Sequence, residues 1–290
     1  MSLLEVKNLS YSYSKGTPFE KKALSDVSFS VEKGEFIGII GHTGSGKSTL
    51  MQMLDGLLKP DGGQVILEGK DINSDKKITR EARFKVGLCF QYPEYQLFEE
   101  TVEKDIAFGP KNMGLSDAEI KKRVLQAAAF VKLDNELLSR SPFDLSGGQK
   151  RRAAIAGVMA MLPEILILDE PAAGLDPLGR REIMSMISEY RRSTGATVMM
   201  VTHSMETAAR VSDRIFVLRD GLLVYTGTPS EVFSHAEDLI KMGLDVPVST
   251  KIASELRHAG IDLPQNIFTV ESCAEALVGY VRAKTAGGKK

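Results

Sequence analysis

The sequence predicts an α/β fold with a mostly parallel sheet at its core, and three observations predict it. An apolar strand, Glu35–Ile40, runs into a glycine-rich loop and then a helix from about Lys47 to Leu57. From residue 165 onward, short apolar runs alternate with helical patterns (165–170, 177–192, 196–201, 204–211, 214–219), the rhythm of parallel strands joined by helical crossovers. Alternating strands at Leu3–Leu9, Leu24–Val31 and Gln64–Glu68, the last after the turn Asp61-Gly62-Gly63, predict a small antiparallel layer beside that sheet.

The remaining elements follow in chain order. Val86–Phe90 reads as a buried strand, and from about Tyr92 to Ala160 the pattern turns helical, which predicts an inserted helical subdomain. Within it, Ser116-Asp117-Ala118-Glu119 reads as a capping box ahead of a helix through Lys132, and Gln149–Met161 forms another helix. Asp220-Gly221, between 214–219 and Leu222–Thr226, is a hairpin turn. Past residue 235 two more helices are expected, Ser249–Ala259 and Val270–Lys284, linked through Asp262-Leu263-Pro264. So small a segment buries little core alone, so residues 236–290 are expected to form a C-terminal extension that packs on the rest of the chain or on a second copy, as a dimerisation element in first place and a ligand-sensing one in second. The tail Ala286–Lys290 reads as disordered.

Composition narrows the function classes. With 290 residues, 43% of them hydrophobic, the chain can bury a large core. A net charge of −1 gives no nucleic-acid footprint, and the runs Lys121-Lys122-Arg123 and Lys150-Arg151-Arg152 read as solvated helix faces. Cys89 and Cys273, far apart, predict a reduced compartment without a disulfide framework. No charged-then-apolar leader and no membrane-length apolar run is present, which predicts a chain that is neither secreted nor membrane-spanning by itself. Methionines such as Met51, Met53, Met159, Met161, Met199 and Met200 fall near predicted core elements, where they fill gaps.

Three motifs carry the chemistry. Gly41-His42-Thr43-Gly44-Ser45-Gly46-Lys47-Ser48 fits the pattern G-x-x-x-x-G-K-[ST] in a strand–loop–helix context. Its glycines let the backbone wrap a triphosphate, so that N–H groups from about Gly44 to Thr49 point at phosphate oxygens; Lys47 reaches the β- and γ-phosphates and Ser48 binds Mg²⁺. Downstream, the apolar run Glu164–Leu168 ends in Asp169 and Glu170, at the strand end where open α/β sheets bind ligands. Asp169 suits Mg²⁺ coordination, and Glu170 is placed to polarise a water for in-line attack. Finally, Leu145-Ser146-Gly147-Gly148-Gln149 presents a hydroxyl and helix-start N–H groups outward, half of a second phosphate site. One complete cradle and half of another imply two copies that complete each other's sites.

With these motifs in this order, residues 2 to about 235 resemble the ATP-binding cassette family of transport ATPases. The resemblance implies a P-loop NTPase with a parallel-sheet core, an N-terminal antiparallel β-subdomain, an inserted helical subdomain at about 92–160 and a nucleotide-binding domain over 1–235, using ATP and Mg²⁺. It also implies roles. Gln91 corresponds to the glutamine that contacts Mg²⁺ or the attacking water and senses the membrane partner. Asp176, in Ala173-Gly174-Leu175-Asp176, corresponds to the loop that crosses the dimer interface. His203 corresponds to the histidine that touches the γ-phosphate. Tyr13 corresponds to the aromatic stacked on adenine, although the residues alone equally allow Tyr11 and Tyr13 to pack on one strand face.

A narrower resemblance rests on Phe90-Gln91-Tyr92-Pro93-Glu94-Tyr95-Gln96-Leu97-Phe98-Glu99-Glu100-Thr101-Val102 and on Ala107-Phe108-Gly109-Pro110-Lys111-Asn112. These are similar to the ATPases of energy-coupling-factor importers, and to the second of their two paired types. That resemblance implies a peripheral protein on the cytoplasmic face of the cell membrane, heterodimeric with a related ATPase. Its further partners are a transmembrane coupling subunit, docked where Tyr92, Tyr95, Leu97 and Phe98 lie, and a substrate-binding membrane subunit. The imported solute would be a vitamin or a transition-metal ion. A non-transport cassette would need a second cassette or a long heptad insertion in the chain, and a purely regulatory module would lack Glu170.

Overall fold

The computed structural model describes residues 2–264 and 266–287. In chain order, strands β1 (Leu4–Tyr13), β2 (Lys21–Val31) and β3 (Phe36–Ile40) precede helix α1 (Lys47–Leu54), followed by β4 (Gly62–Leu67), β5 (Lys70–Asp71) and α2 (Lys76–Lys85). Then come β6 (Val86–Cys89), α3 (Val102–Asn112), α4 (Asp117–Phe130), α5 (Gly147–Met159), β7 (Ile165–Asp169), α6 (Pro177–Thr194) and β8 (Thr197–Val201). The chain ends with α7 (Met205–Val211), β9 (Arg214–Arg219), β10 (Leu222–Gly227), α8 (Pro229–Ser234), α9 (Ala236–Lys241), α10 (Val248–His258) and α11 (Val270–Gly287). Two compact units emerge, Met1–Glu35 with Ser48–Val201, and Phe36–Lys47 with Thr202–Lys290.

In the first unit an antiparallel sheet runs in the order β2-β1-β4-β5. Strand β1 pairs on both sides, Leu4 opposite Val31 and Leu67, and buries Leu4, Val6 and Leu9. The same unit holds parallel strands β6, β7 and β8, with Val86 opposite Ile165 and Ile165 opposite Thr197. Every residue of β7 and β8 is buried, as expected for parallel strands covered on both faces. Gly87 lets α5 approach β6: a Cβ there would stand 2.7 Å from Val158 Cγ1. Helices α3, α4 and α5 pack on one another, the inserted helical layer the sequence predicts.

In the second unit β3 pairs in parallel with β9, and β9 turns back into β10. Asp220 and Gly221 both take positive φ, 49° and 78°, the geometry a two-residue hairpin turn requires. Ile40, Ile215, Val217, Val232, Phe233, Leu239 and Val246 form one core cluster. Ala253, Leu263, Ile267 and Cys273 form another, beneath α10 and α11.

Several expectations are corrected. Helix α2 lies before β6, ahead of the expected helical region; of its residues only Ala82 is buried, so no apolar stripe marked it in the sequence. Helices α8 and α9 were also unexpected, although Thr228 and Glu231 form a full capping box around Pro229. The Ser116 box is half made: Ser116 caps Glu119 N–H, and the helix stops at Phe130. The basic runs are not uniformly solvated. Arg151 is only 4% exposed and paired with Glu94, and Arg123 donates to Glu119 and to the Met161 carbonyl, because long stems let these charges reach partners on neighbouring elements. Ala286 and Gly287 continue α11, while residues 288–290 of the expected disordered tail lie outside the described residues. Cys89 and Cys273 are both buried free thiols. Among the described residues no helix is long and apolar enough to cross a membrane.

Candidate nucleotide site

The glycine-rich loop leaves β3 and curls so that Gly44 and Gly46 adopt φ of 83° and 102°, values that side-chain-bearing residues rarely tolerate. Gly41 is required for a second reason: a Cβ there would meet the Leu218 carbonyl at 2.4 Å. Lys47, 6% exposed, folds back over the loop and donates from Nζ to the Gly41 and His42 carbonyls at 2.7 and 2.8 Å. Its ammonium is thereby held at the loop mouth. Thr43 and Gly44 face solvent, and Ser45 and Gly46 are buried beneath them. A loop of this shape at a helix start is suited to hold an anion.

Ser48 and Thr49 follow on α1, within the first unit. Ser48 Oγ donates to Asp169 Oδ2 at 2.7 Å, which brings a hydroxyl and a carboxylate together at the end of β7. Glu170 follows with φ of 50°, its N–H bonded to the Val201 carbonyl, so the chain leaves the sheet abruptly and lifts this carboxylate off the strand. Gln91 Nε2 lies 3.5 Å from Glu170 Oε2, at the outer limit of a hydrogen bond. The first unit thus brings Ser48, Asp169, Glu170 and Gln91 together. In the second unit His203 lies two residues past β8 and is exposed.

Tyr13 is 40% exposed and meets Tyr11 edge-on at 5.0 Å, so the two tyrosines do pair. Its hydroxyl also bonds Thr49 Oγ1 at 3.0 Å, which pins the ring to α1. Ser146 caps α5, accepting from Gln149 N–H, while Gln149 Oε1 accepts from Ser146 N–H. That reciprocal box, unnoticed in the sequence, commits the Gln149 side chain to its own helix and leaves Ser146, Gly147 and Gly148 exposed at the helix start. Asp176 likewise caps α6 through Gly179 N–H at 2.7 Å.

A glycine-rich loop of P-loop pattern leaving β3 in the second unit, and a hydroxyl and acidic side chains gathered at the end of β7 in the first, are the two parts that define a P-loop NTPase. Comparison with known proteins goes further. Residues 24–173 match the ABC transporter family. The energy-coupling factor transporter ATP-binding protein EcfA2 of Caldanaerobacter subterraneus subsp. tengcongensis is 52% identical over 279 residues, covering 96% of this chain and 98% of its own. Its counterpart in Clostridioides difficile is 49% identical over 286 residues, covering 98% and 99%. Among solved structures, cbiO1 from Clostridium perfringens, part of the ABC transporter complex cbiONQ, superposes with a TM-score of 0.73 at 40% identity, covering 83% of this chain and 94% of that one. The ATP-binding cassette MJ0796, a dimer in a post-hydrolysis state bound to ADP and Pi, gives 0.70 at 30% identity, covering 78% and 98%. The chain belongs to the ATP-binding proteins of energy-coupling factor transporters, the ATPases that power this branch of ABC importers.

Proposed function

We propose that this chain binds MgATP in its glycine-rich loop, completes a second nucleotide site across a dimer, and drives a micronutrient importer from the cytoplasmic face of the cell membrane. The observation that carries the proposal is the contact between Ser48 and Asp169, which supplies two hard oxygen donors, one of them the residue that follows Lys47 in the chain. Mg²⁺ fits that set, since it prefers one or two protein oxygens with phosphate and water as its remaining ligands. Ser48, Asp169 and Gln91 would hold it, and the ion would neutralise charge on the transferring phosphoryl group. Thr43, Gly44, Ser45, Gly46, Lys47, Ser48 and Thr49 would hold the phosphates, with Gly41 allowing the loop to close and Tyr13 packing on the base.

Glu170 orients and polarises the attacking water, Gln91 steadies it, and His203 reaches the γ-phosphate. Ser146, Gly147 and Gly148 contact the nucleotide held by the partner ATPase, and Asp176 faces it across the interface. ATP therefore bridges two chains, and its hydrolysis opens them. The nucleotide-bound dimer of MJ0796 is a precedent. The partner is a related, non-identical ATPase, and residues 1–235 form the nucleotide-binding domain. The extension 236–290, whose α11 exposes Val278 and Val281, serves dimerisation.

Coupling to the membrane runs through a groove of about 360 Å³ in the first unit, lined by Arg83, Phe84, Leu97, Phe98, Phe108 and Met161. Phe98 packs edge-on against Phe108 at 5.1 Å, and Asp105 accepts from the N–H groups of Phe98 and Glu99, which holds the groove's rim in shape. Such a groove suits a cytoplasmic helix of a transmembrane coupling subunit, itself joined to a substrate-binding membrane subunit. The solute is a vitamin or transition-metal ion. Purification of the tagged chain from its native membranes tests the reading: a second ATPase and two hydrophobic subunits should co-purify in fixed stoichiometry. Recovery of the chain alone or as a homodimer competent for transport would overturn the heteromeric assembly.

A further inference from the structure

Arg151 sits on the first turns of α5, the helix that Ser146 opens. Only 4% of its side chain is exposed, and it grips two other segments of the first unit. Nε and Nη2 donate to the two carboxylate oxygens of Glu94, at 2.9 and 2.6 Å. Nη1 donates to the Ala173 carbonyl. The guanidinium also lies over the Tyr92 ring, 5.5 Å from its centroid. A planar fork makes these contacts together, and a lysine ammonium does not.

The two segments it grips flank hydrolytic groups. Tyr92 follows Gln91 directly and sits in the left-handed region, φ 54° and ψ 56°, a conformation that a tyrosine keeps only when its surroundings impose it. Its surroundings are Arg151 on one side and Gly174 on the other, where a Cβ would lie 3.6 Å from the ring. Glu94 is the second residue of the short 3-10 turn Pro93–Gln96 that Tyr92 opens. Burial pushes the Glu94 carboxyl pKa up, and its hydrogen bonds to Arg151, a backbone hydrogen bond and the Arg151 charge together outweigh this, so its pKa ends below the ordinary carboxylate range. Gln91 meets Glu170 at 3.5 Å, so a displacement of a few tenths of an ångström breaks the contact.

We propose that Arg151 is a positioning residue for hydrolysis: through Glu94 and Tyr92 it fixes Gln91 against Glu170, and through the Ala173 carbonyl it ties that arrangement to the loop leading into Asp176. The inference rests on the reading of Gln91 and Glu170 as hydrolytic groups. It gives the loop that faces the membrane partner, the start of α5 and the 173–176 loop a single shared anchor. Movement of any one is then felt by the other two.

The test uses the complete transporter in proteoliposomes and steady-state ATPase kinetics. Arg151→Met should lower kcat roughly tenfold or more while KM for ATP stays within about twofold, the pattern of a lost transition-state contact. Arg151→Lys should recover little of it. The decisive readout is the same substitution in a Gln91→Ala background, where the target of the positioning is already gone: a further change below about twofold is expected, since coupled residues are non-additive. An equal fold-loss in both backgrounds, or an unchanged kcat in wild-type background, overturns the proposal. If Arg151→Met fails to fold, Glu94→Gln, which keeps the shape and removes the charge, is read by the same two comparisons. Should Gln91→Ala alone leave kcat unchanged, the parent reading of Gln91 fails, an outcome separate from additivity.

Discussion

Ser48 Oγ and Asp169 Oδ2 lie 2.7 Å apart although their residues are 121 positions apart in sequence. The contact joins the start of α1 to the end of β7, and Asp169 is only 7% exposed. Ser48→Ala removes both the proposed metal ligand and the carboxylate's hydroxyl partner, and an unpaired buried acceptor costs about 1–3 kcal/mol. The variant should show a lower melting temperature without nucleotide and an ATPase rate reduced roughly tenfold or more, partly restored by raised Mg²⁺. A rate unaffected at any Mg²⁺ concentration would remove Ser48 from the metal site.

Glu170→Gln keeps the side chain's size and an amide oxygen that can accept from Gln91, while removing the carboxylate proposed as the base. ATP binding should remain near wild type, and turnover should fall by roughly 100-fold or more. Single-turnover assays with purified complex separate the two. Wild-type turnover in that variant would refute the assignment of Glu170.

Much of this was legible because it rests on local rules. The spacing from Gly41 to Ser48 fixes a loop whatever surrounds it, and Asp220-Gly221 fixes a hairpin by its backbone preference alone. The apolar run at 165–168 announces a buried strand for the same reason. What stayed hidden depends on partners distant in the chain. Arg151 looks like one of three solvated cations until Glu94, 57 residues away, folds beside it. Helix α2 hides because it buries one residue, and a polar helix leaves no periodic signature. Gln149 reads as a nucleotide contact, and that its Oε1 also accepts from the Ser146 N–H is set by hydrogen-bond geometry rather than residue type.

Asp55, just past α1, supplies a pH prediction. Burial raises its pKa from 3.8 to about 7, opposed by the charge of Arg83. The folded carboxyl therefore binds a proton that the unfolded chain releases near pH 4, so this group lowers stability progressively as pH rises from about 4 to about 7, with the full penalty above that. Discounted for partial exposure, the penalty is on the order of 2 kcal/mol. Asp55→Asn should raise the melting temperature at pH 8 and leave it nearly unchanged at pH 4.5. An equal gain at both pH values would show that the effect is packing and not ionisation.

Ser146 is exposed at the start of α5, so a bulky cation there displaces no packed group and costs only the helix cap, about 1 kcal/mol. Ser146→Arg should block ATP-induced dimer closure and leave nucleotide affinity of the isolated chain within about twofold. Lys47→Ala, which removes the ammonium from the cradle, should lower that affinity far more. Equal losses in both, measured by equilibrium binding of a fluorescent nucleotide, would place Ser146 in its own chain's site and dismantle the two-chain arrangement.

The groove makes the last prediction. Phe98, 59% exposed, lines a cavity with Phe84, Leu97, Phe108 and Met161, and Tyr95, 85% exposed, precedes the lining residue Gln96 in the chain. Exposed aromatics of this kind anchor interfaces and contribute little to the fold of the free chain. Asp at both positions puts two charges where an apolar helix would lie, each uncompensated and costly to desolvate once the partner docks. The double variant Tyr95→Asp/Phe98→Asp should keep its melting temperature within a few degrees and its nucleotide affinity unchanged. It should detach from membranes in a flotation assay and lose transport, because ATP closure no longer has a subunit to move. Full membrane association by the folded double variant would exclude this groove as the docking surface, and loss of folding would show that Phe98 is held by Phe108 more tightly than its exposure suggests.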